Sequence, residues 1–561
     1  MKRYVIMISL PVFIILLFQT CRTPNQPGEK TFSLKNIFNF PNRTDELKIS
    51  EFIDSTIMTA DVLRFYRQRA YATAWIERGK ISKNGEELLK ELKRSGEEGL
   101  QESFYDVPQI DSLRSGPEVS SVPNDSLPSR LVRLDVLMTT AFLNYASDLL
   151  TGRIDPGELH VIWEVYPQKT DLAEYLEHAL QNKNIRESLD RLRPAYNQYE
   201  LLKKAFRKLA ADQSTGGWPL PGNFSTLKEK DSGENVIKLK KYLLATGDLQ
   251  NDDAAYINSP RFDRQLTEAI RIFQQRHGLK ADGVAAEETG RKMNIPLQER
   301  IDQVRINLDR IRWLPENFGE KYIIINVPSF SLHYFENGKP VLNMGVVVGK
   351  NENYTPILND TLYSVIFNPS WNVPASIATK EMLPKIRKDP GYPEKNNYAL
   401  LKGSYVSKDT VNPQEVDWEK VTKEHFPYFV VQEPGKTNPL GKLEFMMLNQ
   451  YNIYLHDTPA DHLFNESQRN FSHGCIRLEK PAELAGLLLK NQLPEDSIRK
   501  MLSGKEKRRI ILRDKIAVHL IYQTAWAAKD GKIQFRDDIY DFDRLSLPLF
   551  RDSDKQKVAE R

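Results

Sequence analysis

The stretch 454-YLHDTPADHLFNESQRNFSHGCIRL-478 brings histidines and a cysteine together in one short segment. Cys475 is one of only two cysteines, and the other, Cys21, lies at the end of an apolar leader. The run Ser472–Cys475 is typical of a tight turn, in which the glycine lets the backbone approach a substrate closely. A thiol attacks as the thiolate, and a neighbouring imidazole can generate that state. The segment therefore predicts a cysteine nucleophile.

His456 follows the strand-like run 451–455, which predicts a strand-end histidine facing the turn that holds Cys475. We therefore interpret Cys475 as the nucleophile and His456 as its base. His473, two residues before the cysteine, is the alternative base or a group that orients substrate. Two other interpretations remain open, namely a buried inert cysteine and a zinc site that would also use His462. Zinc sites usually have closer ligand pairs and more thiolates.

The motif Ser-His-Gly-Cys-x-Arg, with His456-Asp457-Thr458-Pro459 upstream, resembles the L,D-transpeptidases of the bacterial cell wall. Pro434-Gly435, Asn438 and Leu440-Gly441 fit the same pattern. Many members have asparagine two residues after the cysteine, whereas this chain has Arg477. Arginine is used there by the large periplasmic subgroup, which also carries a scaffold domain and a peptidoglycan-binding domain.

The resemblance implies roles for the residues around the thiol. A backbone carbonyl should hold the second nitrogen of His456, so Asp457 need not be a third catalytic residue. The backbone N–H groups of Gly474 and Cys475 are candidates for the oxyanion hole. Arg477 is expected to favour the thiolate or to pair with a substrate carboxylate. An internal salt bridge is the alternative for this arginine.

Three further residues are expected near the substrate. By resemblance, Tyr454 and Gly441 line the pocket for the donor stem. Trp371 is expected to form the lower wall of that pocket, and the alternative is that it is simply a core residue.

The activity that the resemblance implies is a cysteine-dependent acyl transfer. The enzyme would take a tetrapeptide stem, release D-alanine through a thioester, and form a 3-3 cross-link in peptidoglycan. Its partners would be stem peptides and glycan strands, carbapenems would inhibit it, and no cofactor or metal is called for. The alternatives are an L,D-carboxypeptidase that hydrolyses the same acyl-enzyme, a non-catalytic lipoprotein that binds the wall, and a zinc amidase.

Composition describes an ordinary soluble globular protein. The chain has 561 residues, of which 40% are hydrophobic and 27% charged, and this length predicts three or four domains. Lys plus Arg is 79 and Asp plus Glu is 75, a net charge of +4, which argues against a nucleic-acid partner. Two cysteines exclude a disulfide framework.

The N-terminus predicts export. Met1-Lys2-Arg3 precedes an uncharged run, Val5 to Phe18, which is short for a spanning helix and typical of a signal peptide. We assign 1–20 to a lipoprotein-type signal peptide, with Cys21 as the lipidated residue and 21–44 as a linker. This predicts a periplasmic lipoprotein anchored to a membrane; simple cleavage and an uncleaved anchor are the alternatives.

The rest of the chain predicts a multidomain α+β protein. Residues 45–220 have a helical period, with apolar residues at 134, 138, 141, 142, 145 and 149, and resemble the scaffold domain. Residues 232–295 have the pattern of three short helices. The string FQQRHGLKADG, followed by Thr289, resembles a peptidoglycan-binding domain, and a generic three-helix spacer is the alternative; His277 is expected to be a structural or surface histidine. Residues 321–515 predict a mostly β catalytic domain, a sandwich or barrel, with a hairpin turn at Asn337-Gly338 and a strand at 428–432. A lid-like helical and loop insertion, in which the β pattern fails, is predicted at 376–426. Residues 516–561 predict a C-terminal hairpin and tail.

Overall fold

The computed structural model describes residue 49 and residues 59–115, 127–164 and 170–551. The predicted signal peptide, the lipidation site Cys21 and the linker lie outside these residues. Within the described ranges, no helix combines the length and the apolarity needed to cross a bilayer. The described residues form a multidomain α+β protein, as the sequence predicts.

The N-terminal region is helical. Its helices are α1 (Ala60–Gln68), α2 (Lys83–Lys93), α3 (Val107–Ser115), α4 (Leu127–Thr151), α5 (Leu172–Asn182), α6 (Ile185–Arg191) and α7 (Asn197–Ser214). A hairpin of β1 (Ile76–Glu77) and β2 (Lys80–Ile81) precedes α2, where the sequence indicated only a turn. The apolar face predicted for α4 is buried, with Met138 and Phe142 in the core. Helices α1 to α6 share one apolar core.

A small helical bundle follows. It contains α8 (Glu234–Ala245), α9 (Ala254–Ile257), α10 (Arg264–Arg276) and α11 (Glu287–Met293), and α12 (Leu297–Ile311) leads out of it. Its apolar faces meet in a core of their own. His277 stacks on Phe273 and Phe535, with ring centroids 3.9 and 5.4 Å away. Burial lowers the His277 pKa well below its usual value, so this histidine is a structural residue.

The C-terminal half is built on strands. In chain order they are β3 (Lys321–Asn326), β4 (Ser331–Glu336), β5 (Lys339–Gly349), β6 (Asn359–Phe367), β7 (Trp371–Val373), β8 (Tyr398–Lys402), β9 (Thr410–Val411), β10 (Tyr428–Gln432), β11 (Leu443–Met447), β12 (Leu455–His456), β13 (Asn470–Ser472), β14 (Ile476–Leu478), β15 (Arg508–Ile521), β16 (Ala525–Ala527) and β17 (Ile533–Phe535). One large sheet has the order β13-β5-β14-β12-β11-β6-β15-β3-β4, and β4 also pairs with β5, so the sheet closes on itself. Asn337 and Gly338 join β4 to β5 with φ of 50° and 73°, which is the hairpin turn that the sequence predicts.

The insertion between β6 and β11 is a folded unit. Its helices are α13 (Ala375–Ile377), a π-helical turn (Ala378–Met382), α14 (Leu383–Lys388) and α15 (Tyr392–Lys395). They pack on a four-stranded sheet, β7-β10-β8-β9, around a separate apolar core. The sequence placed 428–432 in the catalytic domain's strands and expected no strands at 376–426, and both expectations are wrong. The two strands β8 and β9 are too short, and too closely flanked by charged residues, to show an alternating pattern.

The C-terminal segment also differs from its prediction. The sequence ended the catalytic domain at 515, but β15 crosses this point and pairs with β3 and β6 as far as Ile521. Val518 and Leu520 are buried in the core of the closed sheet, which explains why this strand belongs to it. Within 516–561, the hairpin is formed by β16 and β17. Helices α16 (Pro481–Leu489) and α17 (Glu495–Ser503) precede β15, and α18 (Phe542–Arg551) returns to the scaffold core.

Candidate active site

Residues of the quoted stretch share one face of the closed sheet. β12 and β14 run parallel, with His456 opposite Arg477. Leu455, which precedes His456, is buried in the core. Because side chains alternate along a strand, His456 and Arg477 point away from that core. Tyr454 and Cys475 lie two residues earlier, just outside these strands, and their side chains are hydrogen-bonded to each other.

The thiol of Cys475 is half-buried, and its Sγ–H donates to the backbone oxygen of Asn452 at 3.6 Å. Burial raises the pKa of Cys475 to about 11. Hydrogen bonds from the backbone and phenol of Tyr454, and the charge of Arg477, act in the opposite direction. Arg477 therefore favours the thiolate, as expected, but burial outweighs it. The resting residue is a protonated thiol at neutral pH.

His456 is buried at the end of β12. Its Nδ1 donates to the backbone oxygen of Asp457 at 2.6 Å, which is the arrangement that the resemblance implies. With the hydrogen on Nδ1, Nε2 of the neutral ring is unprotonated. Burial and the charge of Arg477 lower the pKa of His456 to about 4. A neutral imidazole and a neutral thiol therefore share this face at pH 7.

The carboxylate of Asp457 is occupied elsewhere. It accepts backbone N–H groups from Lys442 at 2.6 Å and from Thr458 at 2.7 Å. Gly441, at φ +58°, lies under this carboxylate, because a Cβ there would come within 2.3 Å of Oδ2. Gly441 thus makes room for Asp457, a role that the sequence did not predict.

The turn that carries Cys475 is held by its own hydrogen bonds. Ser472 Oγ donates to the backbone oxygen of Cys475 at 2.6 Å and accepts the N–H of Gly474 at 3.1 Å. Gly474 has φ of +114°, a conformation that favours glycine. Since its N–H is engaged within the turn, Gly474 is not free to donate to an oxyanion. The N–H of Cys475 remains the candidate.

A brace that the sequence did not reveal supports this turn from below. Thr355 Oγ1 donates to the backbone oxygen of Gly474 at 2.7 Å. The backbone N–H of Thr355 in turn donates to the hydroxyl of Tyr540 at 3.2 Å, and that hydroxyl donates to Gly349 at 2.6 Å. The C-terminal segment therefore helps to position the cysteine loop.

His473 turns toward the insertion. Its Nε2 lies 2.7 Å from Oε1 of Glu381, which sits on the π-helical turn, and both side chains are exposed. The structure thus brings His473 beside the insertion, whereas His456 lies on the face that carries the thiol. Trp371, the remaining predicted pocket residue, begins β7 and packs against the core of the insertion.

Arg477 is half-buried without an ionic partner. Within the described ranges its guanidinium makes no ion pair, and its buried Nε has no hydrogen-bond acceptor. The alternative of an internal salt bridge is therefore wrong for these residues. Burial lowers the Arg477 pKa, while the nearby Cys475 raises it. An unpaired, partly buried guanidinium is suited to bind a carboxylate.

Glu444 was missed by the sequence analysis. It lies on β11 directly opposite His456 in the antiparallel ladder, so both side chains share one face. The residue is 8% exposed, and burial raises its pKa to about 7, although Lys507 and Arg509 act against this. The alternation along β11 could have shown that Glu444 points away from the face of Leu443 and Phe445. Only the register of β11 with β12 shows that it faces His456.

The zinc alternative would bring His462 together with His456, His473 and Cys475. In the part of the chain that the structure describes, no group of three or more His, Cys, Asp or Glu side chains could hold an ion. His462 lies on an exposed 3₁₀ turn (Asp461–Asn465).

Three family models match separate stretches of the chain. The model described as "Scaffold domain" matches residues 60–206, "Putative peptidoglycan binding domain" matches 232–293, and "L,D-transpeptidase catalytic domain" matches 320–499. A Haemophilus influenzae protein named "Putative L,D-transpeptidase" is 36% identical over 243 residues, which cover 43% of this chain and 48% of that protein. The chain therefore spans about half the length of this curated relative.

Solved structures give weaker likenesses. An L,D-transpeptidase from Stackebrandtia nassauensis is 15% identical, with a TM-score of 0.21 over 54% of this chain and 97% of that one. An L,D-transpeptidase from Xylanimonas cellulosilytica is 12% identical, with a TM-score of 0.17 over 54% of this chain and 100% of that one. At such low scores, nothing about function is taken from these two proteins.

Proposed function

The chain contains the catalytic domain of the L,D-transpeptidases, joined to a scaffold domain and a peptidoglycan-binding domain, and we propose that it forms 3-3 cross-links in peptidoglycan through a thioester on Cys475. The observation that carries this proposal is the shared face of β12 and β14, where a thiol, an imidazole and an unpaired guanidinium lie together. A nucleophile, a base and a carboxylate-binding group are what acyl transfer from a peptide stem requires.

In the first half of the reaction, a tetrapeptide stem places the carbonyl before its terminal D-alanine beside Cys475. Nε2 of His456 accepts the thiol proton while sulfur bonds to the carbonyl carbon. The C–N bond then breaks, and the proton passes from His456 to the amine of the departing D-alanine. The products are free D-alanine and a thioester of the shortened stem. The N–H of Cys475 is the donor available for the intermediate's oxyanion.

In the second half, the side-chain amine of a diamino acid on another stem attacks the thioester. Its nitrogen bonds to the carbonyl carbon, the C–S bond breaks, and the proton lost by nitrogen returns to sulfur through His456. The raised Cys475 pKa and the lowered His456 pKa support proton transfer during attack rather than a resting thiolate–imidazolium pair.

Arg477 is the residue that would bind a carboxylate of the stem peptide, because its guanidinium is charged, partly buried and unpaired within the described residues. The contact between His473 and Glu381 supports a place for the insertion next to the cysteine loop, where it would cover the bound stem. Carbapenems are expected to acylate Cys475, because their strained lactam presents a carbonyl to the same thiol.

Product analysis tests this proposal. Purified protein is incubated with tetrapeptide muropeptides, and the products are identified by mass spectrometry alongside a Cys475→Ala variant. The wild type should release D-alanine and form 3-3 dimers, and the variant should do neither. D-alanine release by the variant would contradict the proposal, and tripeptide products without dimers would favour the carboxypeptidase alternative.

We also propose that the protein is exported and anchored by a lipid on Cys21, which lies outside the described residues. The support is the charged start and uncharged run of the leader. Palmitate should label the wild type but not a Cys21→Ala variant, and the variant should move to the soluble fraction. An unlabelled wild type would refute the anchor.

A further inference from the structure

Glu444 lies on the reactive face of the closed sheet. It pairs with His456 across β11 and β12, while its neighbours Leu443 and Phe445 are buried in the core on the opposite face. β12 separates β11 from β14, so Glu444 and Cys475 flank the strand that carries His456. Adjacent strands are about 4.8 Å apart, which puts about 10 Å between the outer two backbones. A small group bound over His456 could therefore reach both Glu444 and Cys475.

The carboxylate of Glu444 lacks a partner. It is 8% exposed, and among the described residues it makes neither a hydrogen bond nor an ion pair. Lys507 and Arg509 influence it only through their charge, from beyond ion-pair distance. A largely buried carboxylate without protein donors is costly to ionise, and its oxygens still reach solvent, so a cationic ligand could approach them.

The charge of Glu444 acts on the nucleophile's surroundings. It raises the pKa of Cys475 and of Tyr454, so its field reaches the sulfur across β12. A resident anion does not help a thiol to ionise, and it therefore gives no advantage in forming the thioester. It does attract a cation toward the thioester once that has formed.

The second half-reaction brings such a cation. An amine in water at neutral pH is mostly an ammonium ion, which must lose a proton before its nitrogen can attack. We propose that Glu444 binds the ammonium group of the acceptor stem and directs the thioester toward aminolysis instead of hydrolysis. This inference rests on the proposed function, and it names a binding group for the acceptor at the same site.

Protons and bonds balance in this step. The acceptor ammonium transfers one proton to the Glu444 carboxylate, and the neutral nitrogen then attacks the thioester carbon. The C–S bond breaks as the amide forms, and the second nitrogen proton reaches sulfur through His456. Glu444 releases its proton to solvent when the product leaves. A carboxyl with a pKa of about 7 can both accept and release that proton at neutral pH.

The test compares Glu444→Gln and Glu444→Asp with wild type, and uses Glu483→Gln, an exposed position on α16, as the matched control. Tetrapeptide muropeptides are the substrate, and D-alanine, tripeptide and dimer are measured in each reaction. We expect Glu444→Gln to release D-alanine in its first turnover at least as fast as wild type, because the anion that opposes ionisation of the thiol is gone, but to lower the dimer-to-tripeptide ratio at least tenfold. Glu444→Asp should recover part of that ratio, and the control should match wild type.

Three outcomes would overturn the assignment of Glu444. They are an unchanged ratio in Glu444→Gln, a loss of first-turnover D-alanine release in that variant, and an equal defect in the Glu483 control. Failure of wild type itself to release D-alanine would instead contradict the proposed function. The melting temperature of Glu444→Gln should not fall below that of wild type, since the change removes an unpaired buried carboxylate.

The pH profile of the ratio gives an independent readout. Groups facing Glu444 are His456 on β12, Lys507 and Arg509 toward β15, and Tyr454 and Cys475 beyond. In wild type the ratio should rise with pH through about 7, as Glu444 ionises. In Glu444→Gln the ratio should not rise with pH in this range. A pH profile identical to that of wild type would contradict the inference.

Discussion

Two largely buried carboxylates, one in the scaffold and one on the catalytic face, differ in their hydrogen-bond partners and in the direction of their pKa shifts. In the scaffold, Glu98 accepts hydrogen bonds from Arg193 at 2.8 Å, Lys203 at 3.1 Å and Tyr199 at 2.5 Å. Burial opposes ionisation of Glu98, but these partners outweigh it and lower the pKa. On the catalytic face, Glu444 has no such donor, and burial raises its pKa to about 7.

The arginines of the two regions differ in the same way. Arg312 follows α12 and reaches into the scaffold, where it donates to the hydroxyl of Tyr199 at 2.8 Å, while it also pairs with Asp309 at 2.9 Å. Arg477 has neither kind of partner in the described part of the chain. The scaffold uses its buried charges to hold elements together, whereas the catalytic face keeps opposite charges apart on either side of His456. Substitutions in the two regions should therefore affect different properties.

The largest effect is expected on the catalytic face, from His456→Gln. The variant should lower the rate of D-alanine release by about 10²–10⁴-fold, because the thiol is protonated at rest and needs a base. Single-turnover release from tetrapeptide stems measures this rate. His462→Gln, on the exposed turn, is the control and should keep the wild-type rate. A rate for His456→Gln within threefold of wild type would show that His456 is not the base.

The matching change in the scaffold is Glu98→Ala. It leaves Arg193 and Lys203 without their shared carboxylate, and loss of one member of a buried ionic group costs about 3–5 kcal/mol. Urea unfolding at neutral pH measures the loss. Exposed Glu102→Ala is the control. Where the variant remains folded, it should react with a carbapenem at the wild-type rate; a stability loss under 1 kcal/mol would show that the network is not structural.

A smaller effect is expected from Arg477→Ala. A charge-assisted hydrogen bond to a substrate carboxylate is worth about 1.5–3 kcal/mol, so kcat/KM for the tetrapeptide stem should fall about 10–100-fold. Folding stability should stay close to wild type, since the guanidinium pairs with no carboxylate within the described residues. Arg499→Ala, on the surface of α17, is the control. A loss of stability with unchanged kcat/KM would mean that Arg477 is structural.

The smallest expected effect is on the pH dependence of stability, to which Glu98 and Glu444 should contribute with opposite signs. Because the Glu98 pKa is lowered, its contribution to stability exists above the ordinary glutamate pKa and is lost as pH falls through its folded pKa. Because the Glu444 pKa is raised from 4.5 to about 7, wild type loses stability relative to Glu444→Gln as pH rises across that interval. Melting temperatures of wild type, Glu98→Gln and Glu444→Gln between pH 2 and 8 measure both trends, since the Glu98 effect lies below pH 4.5 and the Glu444 effect between 4.5 and about 7. Parallel trends would contradict the comparison.

Local patterns in the sequence predicted what is local in the structure. The hairpin at Asn337-Gly338 and the α4 face follow from turn chemistry and periodicity. The strand predicted over 451–455 is wrong, because β12 contains only Leu455 and His456 and Asn452 has a φ of 55°. The backbone carbonyl that holds His456 came from the resemblance and is present at Asp457. These features depend on neighbours in the chain, which one sequence contains.

Features that depend on register could not be predicted in this way. Glu444 reaches His456 through the pairing of β11 with β12, and the intervening loop does not fix that pairing in the sequence. The brace from Tyr540 joins residues that are far apart in the chain. The strands of the insertion are stabilised by a separate small core instead of by the closed sheet, so their short runs looked like loop.

The most direct test of the account is a search for the covalent intermediate. Wild-type protein is mixed with a tetrapeptide stem, quenched in acid within one turnover, and measured by intact mass spectrometry followed by peptide mapping. The account predicts an adduct with the mass of the stem after loss of D-alanine, located on Cys475 and absent from Cys475→Ala. Release of D-alanine with no adduct, or with an adduct on another residue, would contradict it.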